Sequence, residues 1–150
     1  MNTSRSLLSF FFIAIFGFSF AQNDNSDAKW TKLQEKDGIT IFYKKGECNQ
    51  PKFASYTEDV YLKFTNTTDQ IVYVEWIYDV TYGDRCFNCD GTNEEMKTRM
   101  KIEPNGSKEG VCGDDNSFHL RIFSKFTKME NKEEMKEFHV KILSIEPYVE

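Results

Sequence analysis

A chain of 150 residues, 39% of them hydrophobic, is long enough to bury one adequate core and does not need disulfides merely to fold. Its 24 acidic and 19 basic residues are mixed along the chain, for a net charge of −5. That balance argues against a nucleic-acid partner, because phosphate binding wants a basic surface.

The first 21 residues carry the strongest pattern. Arg5 is a small positive n-region, Leu7 to Phe20 is almost wholly apolar, and Ser19-Phe20-Ala21 sets small residues ahead of Gln22. This is the three-part layout of a secretory signal peptide. The apolar run of about 14 residues is shorter than the roughly 20 needed to span a bilayer. No cysteine stands at the cleavage point, and no later stretch is apolar enough to span a membrane. The expectation is cleavage near Ala21 and a secreted or periplasmic mature chain. It begins with a polar, flexible lead over 22–29 and continues as a single domain over 30–150.

Asp37-Gly38 is a turn dipeptide before a short strand, Ile39 to Lys44. Val60 to Thr65 alternates, with Val60, Leu62 and Phe64 inward and Tyr61, Lys63 and Thr65 outward. Asn66-Thr67-Thr68-Asp69 ends it in a turn. The longest strand signal is Ile71 to Tyr82, apolar on both faces and so expected to be central; Val72, Val74, Trp76, Tyr78 and Val80 share one face. After a turn-rich loop over 83–93, Glu95 to Glu103 alternates again, which makes a long hairpin the simplest reading. A turn at Pro104-Asn105-Gly106-Ser107 leads toward a further strand over Phe118 to Phe126, with Phe118, Leu120, Ile122 and Phe126 inward. Residues 127–137 are charged and suit one or two helical turns. The last strand carries Phe138, Val140, Ile142, Leu143 and Ile145, with a phase shift near Ile142–Leu143 that predicts a bulge. Six or seven short strands without a long helix predict an all-β, antiparallel sandwich of the immunoglobulin or fibronectin type, about seven strands, with Trp76 in its core.

Cys48, Cys86, Cys89 and Cys112 are an even set in a chain expected to be exported, and four cysteines allow three pairings. The favoured pairing is Cys48 with Cys112, between two loops, and Cys86 with Cys89 inside one loop. Two sharper chemistries compete with a scaffold role. A redox Cys-x-x-Cys wants its first cysteine at a helix N-terminus, whereas Cys86-Phe87-Asn88-Cys89 lies between strands beside Asp84 and Asp90. A zinc site of all four thiolates wants paired Cys-x-x-Cys units, and Cys48 and Cys112 lack such partners. The carboxylates of Asp84, Asp90, Glu94 and Glu95 invite calcium, but their spacing does not fit an EF-hand loop.

No hydrolase, metalloprotease or phosphate-binding motif is present, so no catalytic residue, metal ligand or cofactor is assigned. His119 and His139 are expected on the surface. The sequons at Asn66 and Asn105 fit plain turns. Tyr43, Tyr61 and Tyr73 are the candidate exposed aromatics for a protein or carbohydrate ligand.

Two resemblances follow from these residues. Trp30 through Lys44 (WTKLQEKDGITIFYK) resembles the opening of bacterial START-type lipid-binding domains, although the long C-terminal helix of that family is missing. That likeness implies a hydrophobic-ligand carrier. Most of the mature chain, with its long Trp-bearing strand, the Pro-Asn-Gly-Ser turn leading to Glu109-Gly110-Val111-Cys112 and the early Cys48, resembles small exported bacterial immunoglobulin-like proteins of unknown function. This second likeness implies a non-enzymatic binding or structural module of the envelope or extracellular space. A redox or metal-binding protein centred on the Cys86/Cys89 loop is the alternative from the residues themselves.

Overall fold

Nine antiparallel strands in two sheets make up the computed structural model, which describes residues 29–130 and 133–149. The expected leader and nearly all of the polar lead lie outside the described residues. The first sheet holds β1 (Thr31–Lys36), β2 (Ile39–Gln50), β3 (Ser55–Asn66), β7 (Ser107–Glu109) and β8 (Arg121–Phe126). The second holds β4 (Val72–Tyr82), β5 (Arg85–Phe87), β6 (Thr98–Ile102) and β9 (Met135–Pro147). In the first, β2 separates β1 from β3, and β7 and β8 pair in succession along the far side of β3. In the second, β4 is central, with β9 on one side and β5 and β6 on the other.

Local chemistry explains the turns. Asp37 and Gly38 both take positive φ, 48° and 78°, between Lys36 and its partner Ile39. That is the two-residue hairpin geometry for which Asp-Gly is selected. β1 has no signature in the sequence, because Thr31 to Lys36 is polar at an exposed sheet edge and shows no alternation. β2 runs six residues beyond the expected Lys44, to Gln50, and pairs with β3 along its whole length. Cys48 therefore sits on a strand and not in a loop. Asn66 is fully buried; its amide donates to the carbonyls of Gln70 at 2.7 Å and Glu103 at 3.1 Å, and its oxygen accepts from Thr68. The plain-turn reading of that sequon is the one the structure bears out.

The inner faces of the two sheets meet through Ile39, Ile41, Val60, Leu62 and Phe64 from one and Val72, Val74, Trp76, Val80, Met100, Ile102, Val140 and Ile142 from the other. Trp76 is completely buried, with its ring 5.1 Å from that of Phe64. The central position of β4, its hairpin with β6 and the inward stripe of β3 are as the alternation predicts. So is the bulge on β9: Glu75 pairs with Ser144 and Trp76 with Ile142, which leaves Leu143 unpaired.

Three expectations fail near the C-terminal half. Phe118 does not start a strand: Asp115–Leu120 is a 3₁₀ segment, and Phe118 is 65% exposed. Asp114 accepts from Asn116 N at 3.0 Å, so a capping aspartate starts a helical turn where hydrophobic alternation suggested extension. Phe126, expected inward, lies at the exposed end of β8. Among the described residues no helical turn forms over 127–137, and β9 begins at Met135.

Candidate functional site

The outer face of the first sheet carries the most unusual chemistry in the domain. Strand pairing lines up Cys48 with Thr57, Gly46 with Asp59 and Lys44 with Tyr61, and on the other side of β3 sets Arg121 against Tyr61 and Phe123 against Asp59. Gly46 has no side chain, and the Tyr61 ring occupies that space: a Cβ on Gly46 would stand 3.2 Å from the ring. The Tyr61 hydroxyl donates to the Glu47 carbonyl at 3.4 Å. Tyr61, expected to be exposed, is consequently buried, with 5% of its surface accessible.

The loop that follows β7 folds over this face. Gly110 N donates to the Leu62 carbonyl at 3.0 Å, and a Cβ on Gly110 would strike the Leu120 carbonyl at 2.4 Å, so only glycine lets the loop pass there. Val111 N donates to the Ser117 hydroxyl at 3.0 Å. The Cys48–Cys112 disulfide, Cα atoms 5.3 Å apart, then pins the loop to β2. Between the loop and the strands lies an open cleft of about 260 Å³, lined by Cys48, Gln50, Ser55, Thr57, Asp59, Phe118, Arg121 and Phe123.

The floor of that cleft is charged. Asp59 is only 6% exposed, and its carboxylate lies 3.8 Å from Arg121 Nη1. The same Nη1 donates toward Cys48 Sγ at 3.4 Å, while Arg121 Nε is buried without a protein acceptor. Burial pushes the Asp59 carboxyl above its ordinary value; the hydrogen bond from Thr57 and the charge of Arg121 pull it partway back. Burial, and then the charge of Asp59, push the Tyr61 phenol up to about 12. Taking a carboxylate and a guanidinium out of water costs several kcal/mol per ion unless the geometry repays it. An incomplete pair at the floor of a cleft is therefore a costly arrangement for a scaffold alone.

A second cluster forms on the outer face of the other sheet, at the tip of the β4–β6 hairpin. Cys86 pairs with Thr81, and Cys86 and Cys89 are joined across their loop, Cα atoms 5.8 Å apart. Asn88, with φ 63°, donates from its side chain to the Tyr78 carbonyl at 2.8 Å and accepts from Asn93 N at 3.0 Å, which fastens the loop to β4. Asp79 and the two sulfurs have ligand atoms within 4.8 Å of one another. His139, opposite Asp79 on β9, has Nδ1 2.8 Å from Asp79 Oδ1. The hydrogen bond to Asp79, followed by its charge, holds the His139 imidazole above its ordinary value.

No protein-family model, curated protein or solved structure matches the chain.

The residues singled out from the sequence are dispersed by the fold. Tyr43 packs against the core, edge-on to Phe138 at 5.4 Å. Tyr73 lies beneath Arg99, 4.6 Å from its ring, and beside Tyr148. Neither these two nor the buried Tyr61 forms an open stacking platform. The acidic loop carboxylates turn to separate partners: Asp84 to Lys136 at 2.9 Å, Glu94 to Lys97 at 2.7 Å and Asp90 to Thr92 N at 3.1 Å. They do not converge on one cation. The four-thiolate zinc site fails as well, because Cys48 and Cys112 are joined to each other on the opposite sheet. His119 is half-buried on the 3₁₀ segment, where burial lowers its pKa, while His139 lies on β9 of the second sheet.

Asp59, Arg121 and Phe118 do not stand out as site residues in the sequence. An aspartate inside an otherwise strand-forming run is the available signal, since aspartate is depleted from strands. The pairing that gives it Arg121 spans 62 positions and leaves no local trace.

Proposed function

We propose that this protein is an exported, non-enzymatic binding module of the cell envelope or extracellular space, and that it holds a polar ligand in the cleft beside the Cys48–Cys112 disulfide. The observation that carries this reading is the buried Asp59 at the floor of that open cleft, beside an Arg121 whose Nε lacks a protein acceptor, under a Phe118 that is 65% exposed. A carboxylate and a guanidinium side by side match a group that both donates and accepts hydrogen bonds. An exposed ring at the rim suits the apolar face of the same group. A hydroxyl-rich ligand of carbohydrate type has that combination, and a polar peptide is the competing occupant. The leader-like first 21 residues support export, as does a disulfide closing a separation of 64 residues.

The strand connections favour an immunoglobulin-like reading of the sandwich. β3 lies between β2 and β8 while β4 lies between β9 and β6, as strands B and C do in that fold, and Trp76 on β4 has the place of its core tryptophan. Against the lipid-carrier reading, Trp76, Phe64, Leu62, Val74 and Ile102 fill the space between the sheets. Among the described residues no helix is long and apolar enough to cross a membrane.

Amide shift mapping tests the proposal, with a panel of soluble oligosaccharides and peptides added to labelled protein. The expected outcome is shifts confined to 48–59 and 110–123 that vanish in Phe118→Ala. Shifts elsewhere, or binding indifferent to that substitution, would overturn it.

A further inference from the structure

The tip of the β4–β6 hairpin carries an inference independent of the cleft. We propose that, once the Cys86–Cys89 bond is reduced, Cys86, Cys89 and Asp79 form a dithiolate–carboxylate site for Zn²⁺, with a fourth position open to solvent and His139 as the residue that positions Asp79.

Three donors are already gathered. The Cys86 and Cys89 sulfurs and an Asp79 oxygen all lie within 4.8 Å of one another. Tetrahedral zinc, with bonds of about 2.3 Å to sulfur and 2.0–2.2 Å to oxygen, sets such donors about 3.6 Å apart, so on reduction the two sulfurs, now bonded, must separate while the Asp79 oxygen draws in. Asp79 lies on β4, Cys86 on the adjoining hairpin strand β5, and Cys89 in the turn just after it. Asn88 ties the thiol loop to the Tyr78 carbonyl, one residue from Asp79, and His139 holds Asp79 Oδ1 from the other side. A hydrogen-bonded carboxylate ligand is the usual outer-shell arrangement of a metal site.

Charge favours a cation here over thiol catalysis. Asp79 beside the pair disfavours a free thiolate. The same negative surroundings attract a divalent ion, and a bound metal deprotonates its thiols outright. Access differs between the two cysteine pairs: Cys86 and Cys89 are both exposed, whereas in the other pair Cys112 is exposed and Cys48 is 2% exposed. A phosphine reductant therefore reaches the tip first. The disulfide takes up two electrons and two protons, the phosphine becomes its oxide with oxygen from water, and the metal then displaces the two thiol protons.

The test uses purified protein reduced with a limiting phosphine, with alkylation mass spectrometry reporting which cysteines are free. Co²⁺ is added without oxygen and read by its thiolate-to-metal charge-transfer band. The band is expected in protein with a free Cys86–Cys89 pair and a closed Cys48–Cys112 pair, is absent from oxidised protein, and disappears when Zn²⁺ is added. Asp79→Asn and His139→Ala, each checked for native circular dichroism, should bind Co²⁺ about 10–100-fold more weakly. Cys86→Ser with Cys89→Ser should abolish the band. No band in the reduced wild type would overturn the proposal. So would a band that survives loss of both tip cysteines, or Asp79→Asn protein that binds as tightly as wild type.

Discussion

The two cysteine pairs divide the molecule into a clamped region and a presented one. Cys48–Cys112 closes 64 residues and anchors on a buried strand position, where it holds the 110–120 loop over the Asp59–Arg121 cleft. Cys86–Cys89, at a sequence separation of 3, stands in solvent at a hairpin tip already fastened by Asn88. The same chemical bond thus restricts the unfolded chain strongly in one place and less in the other.

Opening the long clamp should have the largest effect. Cys48→Ala with Cys112→Ala is expected to cost about 2–4 kcal/mol, because the unfolded-chain entropy removed by closing a loop of this length lies near the top of that range. Urea unfolding monitored by tryptophan fluorescence measures it, and a loss below about 1 kcal/mol would mean that the loop is held by its hydrogen bonds alone.

A cut at the same loop without touching sulfur comes next. Gly110→Ala forces a Cβ into the Leu120 carbonyl, and is expected to cost about 1–3 kcal/mol, as overpacked sites do. Cleft residues should shift in amide spectra while the β4–β6 tip stays unchanged.

The acid dependence of the cleft probes the clamped region a third way. The folded carboxyl of Asp59 titrates above the ordinary value of 3.8 that it has in the unfolded chain. Between those two values the folded state holds a proton that the unfolded state has lost, so this group's contribution to stability falls as pH rises through the window. Relative to Asp59→Asn, the wild type should therefore gain stability as pH is lowered from neutral toward about 4. Unfolding midpoints of the pair across that range decide it, and parallel curves would remove the buried-charge account.

Smallest of all is the short clamp. Cys86→Ser with Cys89→Ser should cost about 1–2 kcal/mol, because so small a ring removes less unfolded-state entropy and Asn88 still ties the loop. The same denaturation experiment reads it, and a loss comparable to that of the long clamp would erase the distinction between the regions.

Much of the framework is legible in the order of the residues. The alternation of Val60, Leu62 and Phe64, the two-sided apolarity of Ile71 to Tyr82, the Asp-Gly turn and the slip at Leu143 are all local periodicities, and each element forms where its period points. β1 is not legible because this edge strand is exposed on both faces except at Leu33 and Gln34, so it carries no hydrophobic repeat. Phe118 misleads because aromatic residues read as strand, while the capping aspartate four positions earlier governs the backbone. Tyr61 and Tyr73 mislead because period names the face of a strand but not what lies on top of it, whereas Tyr43, in phase with Ile39 and Ile41, faces the core.

The all-β class, the central strand and the core tryptophan thus follow from the chain alone, because period and turn chemistry are properties of neighbouring residues; the cysteine count leaves three pairings, and the fold selects Cys48 with Cys112. It took the folded molecule to bring Arg121 to Asp59, to leave room for Tyr61 at Gly46, and to stand His139 against Asp79. Those meetings depend on the register between strands distant in sequence. A register shift of one residue would turn every one of those side chains to the other face.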